Sequence, residues 1–351
     1  ASPNVGPRNP LHDTFVEWAS SLEFYLSRGK VTMRATRNTA LLQLVIALTL
    51  VSLVSCQFFV NLGDKTKGSG TEVGAGGGGA DVAGGGDVAT GDSQAALQED
   101  WTAFVKWFRS NGGIISSKLT IKVRNGRQGV YFKERMRRGE TIVSFPRNLR
   151  LDEKTAMKGK AGHIFQRLKS DNCYPDLLVI LHIVHERSLG KDSFWNPYFK
   201  LLRTSYNNIM GLTEPQMKTL LRRPGCENTY NLGVMMRRTF NNFYEWYKKN
   251  IEPWAPPEFQ FSRDDMMWGF NTLVTCGWGQ QNGNGDKQMV PFSDIPNHRR
   301  ESAQKASNRG FISAAKEYQA GEELTFDYGL LNDAVLAYYG QPTPDCRGLK
   351  R

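Results

Sequence analysis

Two stretches decide the fold of this chain, Gln288-Met289-Val290-Pro291-Phe292-Ser293-Asp294-Ile295-Pro296-Asn297-His298 and Gly321-Glu322-Glu323-Leu324-Thr325-Phe326-Asp327-Tyr328-Gly329. Each joins a short run of β-forming residues to a polar end. An Asn-His pair after a strand can hydrogen-bond a flat heteroaromatic ligand, and a tyrosine at a strand end can place its hydroxyl in a pocket. Either stretch alone also fits a plain turn with a hydrogen-bonded histidine or a half-buried tyrosine. Together, in this order, they favour a ligand site.

The two stretches resemble the C-terminal signatures of the SET domain, the fold of S-adenosylmethionine-dependent protein lysine methyltransferases. The resemblance extends to the subgroup of the Rubisco large-subunit lysine methyltransferase and the actin histidine methyltransferase. That subgroup carries Pro-x-x-Asp-x-x-Asn-His, then Gly-Glu-x-x-x-x-x-Tyr, then a helix ending in Tyr-Gly. Here these patterns are Pro291 to His298, Gly321 to Tyr328, and Asn332 to Gly340. The resemblance implies an α+β SET fold of small curled β-sheets with a helical insertion, and S-adenosylmethionine as the cofactor.

The chain between residues 93 and 277 is consistent with this fold. An apolar helical face ending at Asn111-Gly112 resembles the subgroup's opening helix. Strands are predicted at 119–124, 130–133 and 141–145, with a glycine-rich turn at 126–129 that touches the cofactor in SET domains. Apolar recurrence predicts helices at 176–187, 214–222, 232–250 and 262–274, which match the subgroup's insertion at about 152–277.

The chain before residue 93 has a different composition. Residues 1–32 stay unassigned. Residues 33–60 begin at Met33 and place arginines before an apolar run, so they are predicted to be a cleaved signal or a single-pass membrane anchor, with a buried core helix as the alternative. Residues 61–92 are glycine-rich and predict a disordered linker. The SET domain is predicted at 93–341, followed by a tail at 342–351.

Charge and cysteine content argue against several classes of site. The formal net charge of +11 permits an acidic partner, but the basic pairs are scattered, so no nucleic acid is expected. The five cysteines contain no Cys-x-x-Cys, which argues against a zinc cluster and does not indicate a disulfide framework. His182 and His185 do not form a zinc motif and are expected on the surface of a helix. We expect no metal.

The resemblance assigns roles to individual residues. Tyr328 is expected to be catalytic, orienting the acceptor amine and the methyl group. The residues expected to bind the cofactor are Asp294, Asn297 and His298 on the adenine and ribose side, Arg127, Gln128 and Gly129 on another edge, and Tyr339 and Gly340 packed against it.

Three features depart from the subgroup. Thr275-Cys276 stands where a Ser/Thr-Arg pair binds the cofactor's carboxylate, and Arg203 stands where a proline is usual after the Trp-x-x-Tyr pattern at Trp195 to Tyr198. A lost charge-assisted hydrogen bond weakens cofactor binding unless another cation replaces it. The chain also ends at Arg351, so the helical domain that follows in the subgroup is not expected here.

The sequence therefore predicts a monomeric methyltransferase acting on a lysine of a protein, most simply a non-histone protein. Histidine methylation is the alternative within enzymes, and a degenerate SET module that only binds protein is the alternative outside them. A membrane-tethered structural protein is a third hypothesis. Residues 40–60 predict membrane association or entry into the secretory pathway; without that, a cytoplasmic or organellar location follows.

Overall fold

Nine short strands form three sheets in the part of the chain that the computed structural model describes, residues 91–220, 222–223, 225–279, 287–305, 310–330 and 332–340. The strands are β1 (Ile114–Ile115), β2 (Leu119–Arg124), β3 (Arg127–Phe132), β4 (Thr141–Ser144), β5 (Gly277–Trp278), β6 (Gln288–Met289), β7 (Asn297–His298), β8 (Phe311–Ser313) and β9 (Glu323–Phe326). The sheets have the orders β1-β4-β8, β2-β3-β9-β7 and β5-β6. The pairing of β7 with β9 is parallel, and every other pairing between these strands is antiparallel.

The helices are α1 (Gly91–Ser110), α2 (Glu153–Lys158), α3 (Gly162–Ser170), α4 (Pro175–Ser188), α5 (Asn196–Phe199), α6 (Glu214–Leu220), α7 (Glu227–Asn250), α8 (Arg263–Cys276) and α9 (Asn332–Tyr339). All but the first and last lie between β4 and β6, where the sequence predicts the insertion. Helix α4 packs against α8, and α9 packs against α7. The predicted helices at 176–187, 214–222, 232–250 and 262–274 correspond to α4, α6, α7 and α8. The sequence missed α2, α3 and the short α5.

The hairpin between β2 and β3 corrects the predicted turn at 126–129. Asn125 and Gly126 both have positive φ, 53° and 69°, and form the two-residue turn that an Asn-Gly pair favours. Arg127, Gln128 and Gly129 are therefore already in β3, where their register partners are Arg124, Val123 and Lys122. The strand starts three residues before the predicted strand at 130–133.

Helix α4 also corrects the prediction of two surface histidines. His182 and His185 are buried, at 1% and 4% exposed, because α4 is covered on most of its circumference. Helix α8 approaches it so closely that a Cβ at Gly269 would lie 2.4 Å from Val184. Burial lowers the pKa of His182 to about 3, so the ring is neutral.

Three further expectations from the sequence concern disulfides, metal sites and membrane spans. Cys226 is disulfide-bonded, which the sequence did not predict, while Cys173 and Cys276 are free. Within the described residues, no three His, Cys, Asp or Glu side chains are arranged to hold a metal ion. No helix in those same ranges is long and apolar enough to cross a membrane. The predicted anchor or signal, residues 61–90 of the predicted linker and the tail lie outside the described residues, whereas residues 91–92 of that linker belong to α1.

Candidate active site

Asn297 joins three strands at the predicted cofactor edge. Its Oδ1 accepts a hydrogen bond from Nε of Arg127 at 2.8 Å. Its Nδ2 donates to the backbone oxygen of Gln128 at 2.9 Å and to Oε1 of Glu323 at 2.7 Å. The amide is buried, and both of its donors are used. One side chain of β7 therefore holds β3 and β9 in register.

Gly129 lies against this amide. A Cβ at position 129 would be 2.7 Å from Oε1 of Glu323, closer than real Cβ contacts, and 3.0 Å from Nδ2 of Asn297. Gln128 beside it donates from Nε2 to the backbone oxygen of Leu201 at 3.2 Å. The backbone of Gly129 is in an ordinary strand, so the glycine is favoured by this close approach, and any larger residue would displace the Glu323 side chain.

His298 and Tyr328 connect the two signature stretches a second time. Nδ1 of His298 accepts from the backbone N–H of Tyr328 at 3.2 Å, and their ring centroids are 5.0 Å apart. Burial lowers the pKa of His298, which favours the neutral ring that this acceptor role requires.

The hydroxyl of Tyr328 donates to the backbone oxygen of Pro296 at 2.7 Å. The ring of Tyr339 lies beside it, with centroids 5.1 Å apart. Burial raises the pKa of Tyr328, so the hydroxyl stays protonated at neutral pH. As a donor to a carbonyl, this hydroxyl keeps its lone pairs for another partner.

A strained turn positions Asp294. Phe292 has φ +82°, a backbone conformation that non-glycine residues rarely adopt, and its ring is fully buried. Tyr198 donates to Oδ2 of Asp294 at 2.9 Å, whereas Oδ1 is buried without a hydrogen-bond partner among the described residues. Burial raises the pKa of Asp294 to about 7, against the opposing effect of the Tyr198 hydrogen bond. The carboxyl is therefore partly protonated at neutral pH.

Helix α8 ends beside the site at Cys276. Its Sγ lies 3.8 Å from the hydroxyl oxygen of Tyr206. Burial raises the pKa of the Cys276 thiol well above its usual value, so the thiol is neutral. Thr275 donates from Oγ1 to the backbone oxygen of Tyr338 in α9 at 3.1 Å. The position where the subgroup carries an arginine thus holds no charge in this chain.

Residues 198–207, the crossing segment, run past one side of the site. Four of its residues contact the site. The pairs are Tyr198 with Asp294, Leu201 with Gln128, Tyr206 with Cys276, and Asn207 with Gly340. At Gly340 the approach is closest, because a Cβ there would lie 1.7 Å from the backbone oxygen of Asn207. The sequence had singled out Tyr198 and Arg203 in this segment.

The structure brings most of the predicted site residues into one connected cluster. Asn297 links Arg127 to Gly129, and His298 links to Tyr328 and, through it, to Tyr339. Asp294 and Gly340 reach the same region through the crossing segment. Glu323 and Tyr206 were missed. The Glu-Leu pattern at 323–324 was a signal for the first, whereas nothing in the sequence around Tyr206 points to Cys276.

Two open cavities, of about 1350 Å³ and about 660 Å³, lie elsewhere. The first is bordered by Arg147, Lys154 and Trp195, and the second lies between α1 and β2. Neither is lined by any of the nine predicted site residues.

A family profile described as the SET domain matches residues 127–329, which include Arg127, Asn297 and Tyr328. This chain belongs to the SET-domain family. The match starts at the first residue of β3 and ends just after Tyr328, so it contains both signature stretches and the helical block between them.

Two kinds of relative support the same conclusion. Actin-histidine N-methyltransferases of Homo sapiens and Mus musculus are 20% identical over 240 residues, which is 66% of this chain and 40% of theirs. Among solved structures, the SET domain of LSMT bound to lysine and AdoHcy aligns with a TM-score of 0.59 at 21% identity, covering 71% of this chain and 58% of that one. Rubisco LSMT bound to AdoMet aligns with a TM-score of 0.58 at 22% identity, covering 71% and 57%.

These findings confirm the predicted family, its subgroup and the α+β SET fold. This chain spans about 40% of the length of the actin-histidine N-methyltransferases that it matches. The domain limits, the roles of individual site residues, the monomeric state, the membrane tether and the cellular location stay predictions.

Proposed function

We propose that this SET domain binds S-adenosylmethionine and transfers its methyl group to the side-chain nitrogen of a lysine in a partner protein. The observation that carries the proposal is the 2.7 Å hydrogen bond from the Tyr328 hydroxyl to the backbone oxygen of Pro296. In this arrangement the hydroxyl oxygen of Tyr328 and the backbone oxygen of Pro296 are adjacent hydrogen-bond acceptors where the two signature stretches meet. Adjacent acceptors suit an amine, which presents more than one N–H to be oriented.

The polar groups around this pair fit the cofactor. The buried, unpartnered Oδ1 of Asp294 offers an acceptor, and the neutral ring of His298 and the backbone around it offer hydrogen bonds to an adenine or ribose. Arg127 and Gln128 would border the opposite edge, and Tyr339 and Gly340 would pack against it. When bound, S-adenosylmethionine would supply an electrophilic methyl group on its sulfonium sulfur, with S-adenosylhomocysteine as the leaving group.

The chain's own contribution is to favour the neutral form of the acceptor amine, whose proton is lost to solvent before the methyl transfer, and to orient it. A free lysine has a pKa near 10.4, so few are neutral at pH 7. A desolvated amine near other positive charge has a lowered pKa. Tyr328 and Pro296 supply fixed oxygen dipoles, and such positioning with preorganised dipoles provides a large share of many enzymatic rate accelerations.

The direct test is titration calorimetry of the full chain with S-adenosylmethionine and with S-adenosylhomocysteine, followed by transfer of a tritiated methyl group to proteins of a cell lysate. Binding in the micromolar range and label recovered as methyl-lysine after acid hydrolysis are expected. Absence of binding up to millimolar ligand, by a chain with cooperative unfolding, would overturn the proposal and favour a SET module that only binds protein.

Histidine is the second candidate acceptor, because the matched relatives quoted above are named actin-histidine N-methyltransferases. An imidazole has an ordinary pKa near 6.5 and needs no large shift to be neutral. The two acceptors differ in the hydrolysate, which would contain methylhistidine, and in pH dependence. The rate for histidine should level off above about pH 7, whereas the rate for lysine should continue to rise.

A further inference from the structure

Arg203 lies in the middle of the crossing segment, between residues that contact the site on both sides. Leu201, two residues before it, receives the hydrogen bond of Gln128 at 3.2 Å. Tyr206, three residues after it, lies 3.8 Å from Sγ of Cys276. The backbone oxygen of Arg203 itself accepts from Nε1 of Trp268 in α8 at 3.1 Å. Its main chain is thus fixed between β3 and the end of α8.

The guanidinium of Arg203 is exposed and forms no ion pair with any residue in the described ranges. Its charge nevertheless acts on the site. Burial lowers the pKa of Arg127, and the charge of Arg203 lowers it further. The same charge opposes the rise that burial causes in the pKa of Tyr328 and of Cys276.

No described carboxylate lies between these two cations as an ion-pair partner. Nε of Arg127 is bonded to the neutral amide of Asn297, and the carboxylate of Glu323 is bonded to the same amide. Asp294, the buried carboxyl of the site, is partly neutral because burial raises its pKa to about 7. Glu323 offsets part of the charge of Arg127, because it acts to raise the pKa of that guanidinium, whereas Arg203 has no ion-pair partner in the described ranges. A cation without a protein partner at a ligand edge indicates that the ligand brings an anionic group.

We propose that Arg203 binds the carboxylate of the amino-acid portion of the cofactor, an inference that rests on the proposed function. The position at the end of α8 where the subgroup carries an arginine is Cys276 here, and Arg203 stands where the subgroup carries a proline. Tyr206, three residues after Arg203, contacts Cys276, so the crossing segment passes the end of α8 close to Arg203. On this proposal, the crossing segment supplies the cation that the helix lacks.

The test compares two ligands that differ only in the carboxylate, S-adenosylhomocysteine and its decarboxylated counterpart, by calorimetry with the full chain. Arg203→Met is expected to weaken the binding of S-adenosylhomocysteine about tenfold to a hundredfold. It should change the binding of the decarboxylated ligand by less than about threefold. Arg203→Lys should retain part of the affinity, since it keeps the charge but loses the planar fork.

Arg138→Met is the matched control, because Arg138 is also exposed, lies in a turn between β3 and β4, and has no ion pair in the described ranges. It should alter neither affinity. The double variant Arg203→Met with Cys276→Arg should recover binding of the carboxylate-bearing ligand, since it restores a cation from the α8 side.

The outcomes separate the two proposals. Equal weakening for both ligands would assign Arg203 a structural role, and unchanged binding of S-adenosylhomocysteine would give it none; either result overturns this inference and leaves the proposed function standing. Failure of the unaltered chain to bind either ligand would overturn the proposed function as well.

Discussion

The hydroxyl of Tyr328 and the backbone oxygen of Pro296, 2.7 Å apart, join the ends of the two signature stretches across 32 residues of sequence. Beside this hydrogen bond, His298 accepts from the backbone of Tyr328, and Asn297 bonds to Arg127 and Glu323. The oxygen pair is thus held by neighbours that are themselves fixed, which is the condition for a preorganised site.

Tyr328→Phe should abolish most turnover and keep cofactor binding, because only the hydroxyl is removed. We expect a loss of about a hundredfold in the rate of methyl transfer, with the affinity for S-adenosylhomocysteine changed by less than about threefold. Initial rates with tritiated S-adenosylmethionine and calorimetry measure the two quantities. Tyr318→Phe is the control, since the Tyr318 hydroxyl is buried without a described partner and its ring stacks on Phe132. Normal turnover in Tyr328→Phe would remove the role assigned to this residue.

Asn297→Ala should destabilise the domain by about 1–3 kcal/mol, because it leaves the buried polar partners of the amide unsatisfied. Asn297→Asp should be worse, since a carboxylate would face Oε1 of Glu323 and the backbone oxygen of Gln128 where Nδ2 now donates. Urea unfolding measures both. Asn148→Ala, at an exposed amide, serves for comparison and should change stability little. A smaller loss for the aspartate than for the alanine variant would contradict this account of the network.

Gly340→Ala should be far more damaging than Gly321→Ala, although both glycines have positive φ, +65° and +83°. At Gly321 an added Cβ has open space, so the cost is backbone strain of about 1–2 kcal/mol. At Gly340 the Cβ would also lie 1.7 Å from the backbone oxygen of Asn207, so α9 and the crossing segment would have to separate. Urea unfolding gives the stabilities, and calorimetry with S-adenosylhomocysteine reports the site. Equal costs for the two variants would show that the close approach does not matter.

Asp294 should make stability depend on pH between about 4 and 7. Its pKa is raised by burial to about 7 in the folded chain, against about 3.9 when unfolded. The raised pKa means that the folded state favours the protonated carboxyl. The folded state therefore has its full stability from this group below pH 4, where the carboxyl is protonated in both the folded and the unfolded chain. This stability is lost as the pH rises through the folded pKa, at up to about 1.4 kcal/mol per pH unit.

Asp294→Asn removes this titration while keeping the shape of the side chain and an acceptor for Tyr198. Relative to the unaltered chain, the variant should therefore become more stable as the pH rises from 4 to 7, measured by urea unfolding at several pH values. Asp192→Asn, at an exposed carboxylate, should show no such trend. A constant difference between Asp294→Asn and the unaltered chain across this range would refute the assignment.

The sequence predicted the parts of the fold that local rules control. Strand β2 was predicted with its observed limits, and α4 and α8 were predicted nearly so, because alternation and helical periodicity act over short distances. Helix α7 begins at Glu227, before the predicted start at residue 232. The turn before β3 was misplaced because Gly129 was assigned to a turn that approaches the cofactor. The structure places Gly129 within β3, against the side chain of Asn297, which lies far along the chain, and no local pattern reveals that contact.

The surface assignment of His182 and His185 failed for a related reason. Polar residues in a helix normally mark its exposed face, but α4 is enclosed by other helices, and Phe165 and Phe259 lie against the His185 ring. Most of the predicted site residues lie in one connected cluster because the two signature stretches are short and specific, although Glu323 and Tyr206 were missed and the role of each residue stays a prediction. The crossing segment could be anticipated only in part, because its contacts depend on how the insertion folds back over β3.

The parallel pairing of β7 with β9, and the antiparallel pairing of β9 with β3, set the order of events during synthesis. The hydrogen bond of Arg127 cannot form until Asn297, 170 residues later, has been synthesised. At 5–20 residues per second, translation of that length takes about 10–30 s. Throughout that interval the edge of β3 that later receives β9 has no native partner. A nascent chain paused within the helical insertion would expose this edge to other strands, so slow translation there should favour aggregation or engagement by chaperones.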